Sequence, residues 1–554
     1  MNSLYYALRL YVARHRFLIS FLVVLAAVLL SDVVVFEAIG LYFPKDAMPD
    51  MSFAPEVWLS VIALVLGTLV IIITIASQVV PRIIDVYMND WWSLLYAWSL
   101  IIFASHSVVF SKIAASRTSS ILLNIVVFMP AAILLSFPYL YYILAYTKPN
   151  NIISKIFTDA MELIQELPKP RMRAWLKKDE KHIAYVQREL FKFINQLDNI
   201  FYFVSFKELQ AQIIINLSTL TREYIRLKEN IIVPKFFNLS RSAMGDISFQ
   251  TLEIQFQEIE ESHTFLEQKT FRIMGDAYNK FLNTNAFDLA SLCGSELNLI
   301  GEAVIQAEDE YLMEAILVRF NTMMRSAFKH GVVNQEARNL YNLAFHYSTY
   351  IKMLALNNRP ALVKKAVHFL RMYGSEVFRN SQSQQALYFI NDVFTFEMKE
   401  VLTLISDLQW DMSLQKQLLM ELLEMDNPAI TATEEEDQQN TFHSGVRTLQ
   451  SGLALFYLKN GQYDLVQMIV QDIAIDLKKL DPSRAVAIID IICKRLETAE
   501  PTFWEDTDRG NNNIYYSPDK EQVPEFQFML MDSIQTVPAV DASGLRPEDY
   551  QFLA

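Results

Sequence analysis

Two ionisable residues lie inside long apolar stretches, where an uncompensated charge is costly. Asp32 follows Phe17, the start of its stretch, by 15 residues, and His106 follows Trp91 by the same distance. At about 1.5 Å per residue both would lie roughly 22 Å along their helices, so they could meet near one face of a membrane. A carboxylate beside an imidazole can bind a cation or relay a proton. The alternative interpretation is that both side chains simply reach the polar headgroup layer.

The stretch that contains Asn124 also contains two prolines, Pro130 and Pro138. Proline removes a backbone donor and can kink a helix, and the freed carbonyls sometimes line an ion path. Prolines are also tolerated in membrane helices without any such role, and Asn124 can hydrogen-bond a neighbouring helix. We therefore predict that any intramembrane polar or permeation site is built from Asp32, His106, Asn124, Pro130 and Pro138.

Signatures of catalysis are missing from the rest of the sequence. It contains no Gly-rich phosphate-binding loop ending in Lys-Ser/Thr, no His-Glu-x-x-His and no Gly-x-Ser-x-Gly. The residue types that usually build catalytic, cofactor or zinc sites are scarce: the sequence has thirteen glycines, eight histidines and two distant cysteines. The net charge of −14 argues against binding to nucleic acid. We predict no enzyme activity, no cofactor and no metal.

Four apolar stretches are long enough to cross a bilayer, which takes roughly 20 residues per helix. A cleaved signal peptide is the alternative for the first one, but its apolar core is too long. The arm before it contains Arg9, Arg14 and Arg16, and the segment after the fourth stretch is also rich in Lys and Arg. Because cytoplasmic flanks carry such an excess, we predict a multi-pass protein of the cytoplasmic (inner) membrane with both termini in the cytoplasm. The stretches run approximately over residues 17–36, 57–80, 91–110 and 121–146.

The connection after the second stretch has the distinctive sequence IASQVVPRIIDVYMND over residues 75–90. This run resembles the signature of the bacterial domain of unknown function 2254 family, which consists of predicted integral membrane proteins. Val79 replaces the aromatic residue that is usual there. The resemblance covers the N-terminal membrane region and implies a bacterial membrane protein of four spans with no settled activity. We expect a capped and anchored inner turn, with a binding or gating site as the alternative. The matching residues are Ser77, Gln78, Pro81, Arg82 and Asp90.

Apolar residues recur at helical spacing from residue 151 onward, and strand-like alternation is nearly absent. We predict an all-α chain in which four membrane helices precede a large α-helical cytoplasmic domain. Residues 454–482 resemble a tetratricopeptide hairpin, in which small and aromatic residues interlock two antiparallel helices. Three or more such hairpins would stack into an α-solenoid, and a generic helical bundle is the alternative. The predicted divisions are a four-span domain (1–147), a membrane-proximal helical region (148–235), an α-helical domain with helix–turn–helix units (236–500) and a flexible or docking tail (501–554).

Together these features predict a membrane-anchored interaction or regulatory protein. Its helical domain would bind a protein partner, its spans would contact the bilayer, and the chain would form a homo-oligomer. The size of the helical part and the hairpin segment favour this interpretation. The alternative is an oligomeric ion channel or transporter that the cytoplasmic domain gates, which the polar residues inside the spans favour.

Overall fold

The computed structural model describes most of the chain, which divides into two compact units: a first unit, Met1–Thr270, and a second unit, Phe271–Ala554. Helices dominate both units, as the sequence predicts. Within the described residues a single two-stranded sheet is present, near the C-terminal end. The described residues are 11–12, 15–39, 52–77, 90–113, 118–246, 256–381, 385–426, 444–507 and 510–536.

Four helical segments of the first unit are long and apolar enough to cross a membrane. Each contains most or all of one predicted apolar stretch. Their outward faces are apolar, since Leu59 and Leu134 are 72% and 70% exposed, which suits a lipid surrounding. The fourth segment is composite and has a π-helical turn in its middle. The segments are α1 (Arg16–Ile39), α2 (Ala54–Ser77), α3 (Trp91–Ile113) and the series α4 (Thr118–Leu123), π-helix (Asn124–Phe128) and α5 (Met129–Tyr146).

The remainder of the first unit contains a bundle in which α6, α8 and α9 pack against one another. Each of these helices buries one apolar stripe; in α6 it includes Ile152, Ile153 and Ile156. The helices are α6 (Pro149–Glu166), α7 (Pro170–Leu176), α8 (Glu180–Phe203), α9 (Lys207–Lys228), a 3₁₀ turn (Pro234–Phe237), α10 (Arg241–Met244), α11 (Phe256–Glu261) and α12 (Phe265–Asn283), which runs into the second unit.

The second unit is a series of helix pairs that contact one another in two rows. The first helices of the pairs pack in the order α13, α15, α17, α19, α21, and the second helices pack in the order α14, α16, α18, α20, α22. Consecutive pairs therefore lie side by side in chain order. The helices are α13 (Phe287–Gln306), α14 (Glu310–Asn334), α15 (Arg338–Leu356), α16 (Pro360–Ser381), α17 (Gln385–Asp407), α18 (Met412–Leu423), α19 (Ser444–Lys459), α20 (Tyr463–Leu477), α21 (Pro482–Thr498) and α22 (Val523–Thr536).

The first four pairs share one turn between their two helices. One residue of each turn has a left-handed backbone, with φ between 53° and 69°. The N–H of the residue that follows bonds to the carbonyl five residues earlier, which is the Schellman arrangement that ends a helix. Because the four turns are alike, the chain reverses direction in the same way between the two helices of each pair. The left-handed residues are Glu308, Asn358, Gln409 and Gly461.

The segment predicted as a flexible or docking tail contains secondary structure. Strands β1 (Thr502–Thr507) and β2 (Gly510–Asn512) form an antiparallel hairpin, so the all-α prediction misses this short element. A 3₁₀ turn (Lys520–Gln522) and α22 follow, and α22 packs against α19, α20 and α21. Its buried residues Phe526 and Leu530 hold this end of the chain on the second unit.

Candidate functional site

Four polar side chains of three of the long apolar segments meet inside the first unit. Ser120 Oγ donates to Asp32 Oδ1 over 2.5 Å, and His106 Nε2 lies 3.8 Å from the same oxygen. The amide of Asn124 faces His106 Nδ1, with its nitrogen 3.0 Å away, and also donates to the Ser120 carbonyl over 2.8 Å. All four residues are buried. We call Asp32, His106, Ser120 and Asn124 the intramembrane polar cluster.

The π-helical turn helps to position Asn124 in this cluster. The Met129 N–H bonds to the Asn124 carbonyl five residues earlier, the wide hydrogen bond that defines a π turn. Pro130 follows directly and has no N–H to donate, so the helix deforms where proline interrupts its ladder. Phe128 closes one side, with its ring 5.5 Å from the His106 ring and stacked 4.4 Å from the ring of Phe103.

The structure thus brings together three of the five residues proposed for a permeation site: Asp32, His106 and Asn124. The two prolines contribute no polar side chain; Pro130 adjoins the π turn, and Pro138 lies inside α5. The sequence interpretation did not include Ser120. It lies four residues before Asn124, on the same side of a helix, and this spacing is the signal that could have found it.

The inner turn that resembles a known family is only partly within the described residues. Ser77 is the last residue of α2, whereas Gln78, Pro81 and Arg82 lie outside the described residues. Asp90 is described: its carboxylate accepts hydrogen bonds from the N–H and the hydroxyl of Ser93, each over 2.9 Å. This is an N-cap, which satisfies one free donor at the start of α3.

The cluster has the chemistry of an oriented and buried acid–base pair. A carboxylate and an imidazole can share or exchange a proton, and the hydroxyl of Ser120 and the amide of Asn124 fix their orientations. Among the described residues, no group of three or more His, Cys, Asp or Glu side chains could hold a metal ion. Proton exchange, cation binding and purely structural hydrogen bonding are the roles that this arrangement can provide.

A second cluster of buried charge lies in the second unit, around Arg447. Its Nε is 3.1 Å from Asp426 Oδ2, and both side chains are 1% exposed. The same guanidinium also pairs with Asp472 and Asp476 on α20. Burial raises the pKa of Asp426 to about 7, and burial also raises the pKa of Asp472. We call these four residues the Arg447 cluster; sequence motifs give no hint of it.

The first-row helices of the second unit also carry an exposed aromatic surface. The rings of Tyr341 on α15 and Phe389 on α17 stack 6.4 Å apart, and Tyr388 and Phe389 are 43% and 42% exposed. One turn further along α17, buried Asp392 accepts a hydrogen bond from the Tyr515 hydroxyl over 2.5 Å. Burial raises the pKa of Asp392 to about 6. We call Tyr341, Tyr388 and Phe389 the aromatic face.

No family model, curated protein or solved structure matches this chain. The resemblance over residues 75–90 therefore stays a prediction. Functional proposals depend on the chain's own residues: the four apolar helices, the intramembrane polar cluster and the rows of helices that present the aromatic face.

Proposed function

We propose that this chain is a multi-pass protein of the cytoplasmic membrane whose helical second unit binds a protein partner in the cytoplasm. The observation that carries the proposal is the pair of helix rows. Stacked helix pairs with a common turn are typical of tetratricopeptide-like α-solenoids, which bind extended partners on a continuous surface. The four apolar helices would fix that surface at the membrane.

The aromatic face is the proposed contact. Aromatic side chains are enriched at the centres of protein interfaces, because they bury a large area at little cost in side-chain entropy. Tyr388 and Phe389 are partly exposed on a helix whose other residues are mostly buried. The intramembrane polar cluster would act as a clamp between α1, α3 and the fourth segment, since interhelical hydrogen bonds stabilise membrane bundles.

Site-specific photocrosslinking in cells tests the partner-binding proposal. A photoreactive amino acid in place of Phe389 should give an adduct of the chain with another protein, and Tyr341→Ser should weaken it. The matched control is the same amino acid in place of Tyr463, which is 55% exposed and lies on a second-row helix. Adducts of equal yield at both positions, or only adducts between copies of this chain at Phe389, would contradict the assignment.

Protease protection tests the proposed orientation. Protease added to intact spheroplasts should leave everything after residue 148 uncut, because this part would lie in the cytoplasm. Opening the cells with detergent supplies the control, in which the same protease should degrade it. Loss of the second unit from intact spheroplasts would place it on the other side of the membrane.

The alternative function is an oligomeric ion or proton pathway, and the contact between Asp32 and His106 specifically favours it. Purified protein in liposomes would then conduct protons or cations, and Asp32→Asn and His106→Ala would each lower the flux by an order of magnitude or more. Ser60→Ala is the control, because within the part of the chain that the structure describes Ser60 only donates to the Glu56 carbonyl on its own helix. An absence of flux, or equal flux in all variants, would reject this alternative.

A further inference from the structure

Three aromatic side chains project from the turn that joins α8 to α9. Tyr202, Phe203 and Phe206 are 51%, 57% and 65% exposed. The turn is well held, since Val204 is buried and its carbonyl accepts a hydrogen bond from Gln210 Nε2 over 2.8 Å. Large apolar side chains that cluster on an exposed, ordered turn usually mark a contact surface. We call Tyr202, Phe203 and Phe206 the aromatic tip.

Helix register places this tip at the end of the bundle that adjoins the membrane helices. Gln165 on α6 donates to Glu223 on α9 over 3.5 Å, and each residue lies 16 positions after the first residue of its helix. The contact joins the last turns of both helices, so α6 and α9 can pack along their length only if they run in parallel. Their first residues, Pro149 and Lys207, therefore lie at the same level, about 24 Å from that contact.

The start of α6 is tied directly to the fourth apolar segment. Only Thr147 and Lys148 separate α5 from α6, and Asn151 Nδ2 donates to the Ala145 carbonyl over 2.6 Å. The aromatic tip precedes Lys207 directly, so it lies level with the point where the chain leaves the fourth segment. Ile232, which is 57% exposed, follows the other end of α9.

We propose that the aromatic tip inserts into the headgroup layer of the bilayer beside the fourth span, as a second membrane contact for the α6–α9 bundle. Tyr and Phe rings bury apolar area at this depth, and the Tyr hydroxyl remains in contact with water and headgroups. Lys148 and Lys207 lie at the same level and can bind lipid phosphates, with Glu208 partly offsetting their charge. This inference rests on the proposal that the four apolar helices span the membrane.

Spin labels on the full-length protein in lipid nanodiscs test the inference. Cys293 and Cys493 are buried, so in the folded protein a thiol label reacts at an introduced cysteine. The variants are Phe206→Cys at the tip, Ile232→Cys at the far end of the same bundle and Leu134→Cys on the lipid-facing side of the fourth segment. The measured quantity is the ratio of label collisions with oxygen, which concentrates in lipid, to collisions with a water-soluble nickel chelate.

The Phe206 label should give a ratio severalfold higher than the Ile232 label, and the Leu134 label should give the highest ratio. Phe203→Cys repeats the measurement if the first tip variant fails to fold. Equal, water-like ratios at Phe206 and Ile232 with a high ratio at Leu134 would overturn the inference alone. A water-like ratio at Leu134 would instead reject the membrane spans on which it rests.

Discussion

The intramembrane polar cluster and the Arg447 cluster bury charge in different ways. In the first unit, the intramembrane polar cluster pairs one carboxylate with one imidazole at 3.8 Å, and a hydroxyl donates to the carboxylate. In the second unit, one guanidinium is surrounded by the carboxylates of Asp426, Asp472 and Asp476. Aspartic acid and histidine can both lose their charge by moving a proton, whereas arginine stays charged in proteins.

This difference follows from what surrounds each cluster. Lipid gives a buried charge no solvent and few partners, so ionisable groups that can become neutral cost less there than groups that stay charged. The second unit can place several carboxylates around a permanent cation, and Asp472, at 26% side-chain exposure, keeps some contact with solvent. The two clusters should therefore respond very differently to loss of one charged group.

The largest loss of folding stability is expected from Arg447→Met. Removing the guanidinium leaves three acidic side chains close together without their cation, and breaking a buried ion pair in this way typically costs about 3–5 kcal/mol. For a unit of this size we expect the midpoint of thermal unfolding to fall by roughly 10 °C. Circular dichroism or differential scanning calorimetry of the full-length protein would measure it.

Lys416→Met is the matched control, because it breaks a single pair with Asp464 in which both side chains are exposed, at 39% and 69%. Exposed pairs contribute about 0–1 kcal/mol. Similar losses of stability in the two variants would show that the guanidinium of Arg447 contributes no more than an exposed cation does, and the contrast between the two clusters would lose its basis.

A smaller effect is expected from Asp426→Asn, which should change how the free energy of unfolding depends on pH. The expected change is on the order of 1–3 kcal/mol. The pKa of Asp426 is raised to about 7 in the folded chain by burial, above the ordinary value of an unfolded carboxyl. The folded state therefore binds the proton of the Asp426 carboxyl group more tightly than the unfolded state does. The stability that this difference contributes is complete at low pH and is lost as pH rises toward and through 7.

The amide that Asp426→Asn introduces cannot titrate, so relative to wild type the variant should gain unfolding free energy as pH rises from about 4 to 8. Denaturant unfolding at several pH values would measure the difference between the two proteins, which cancels the other titrating groups. Arg447 must stay intact in both. A difference that does not change with pH would mean that burial does not raise the pKa of Asp426.

The sequence predicted those parts of the structure that depend on apolar composition or on regular residue spacing. Lipid requires long apolar helices, so the four helices that are long and apolar enough to cross a membrane, and their approximate ends, were predictable. Asp32 and His106 lie at equal depth in their stretches, which predicted that they could meet. Ser120 was hard to predict because serine is common in membrane helices, and its spacing of four residues before Asn124 becomes informative only beside the tertiary contact with Asp32.

The helix pairs of the second unit were hard to predict because their shared turn does not require a shared residue. Glycine and asparagine tolerate a left-handed backbone, and Gly461 belongs to the one hairpin that resembled a repeat. Glu308 and Gln409 adopt the same conformation with side chains that give no such signal. The β hairpin was missed because six- and three-residue strands leave too short an alternation.

The smallest effect is expected from Asp32→Asn. An amide has the shape of the carboxyl, and its oxygen can still accept the hydrogen bond from Ser120, so we expect a loss of under about 1 kcal/mol. Asp32→Leu is the control, because it removes the acceptor and leaves the Ser120 hydroxyl without that partner, which should cost about 1–3 kcal/mol. Unfolding in detergent micelles would rank the two variants.

The order of the stability losses in these variants is more informative than the size of any one of them. If Asp32→Asn destabilised the protein as much as Arg447→Met, the carboxylate would have to be ionised inside the bilayer, with His106 as its protonated counter-ion. The intramembrane polar cluster would then hold an ion pair, as the Arg447 cluster does, because removing one charge of a buried ion pair has a cost of this size even when the shape of the side chain is kept. A small loss, together with a larger one for Asp32→Leu, would mean that a hydrogen bond rather than a charge holds these helices together.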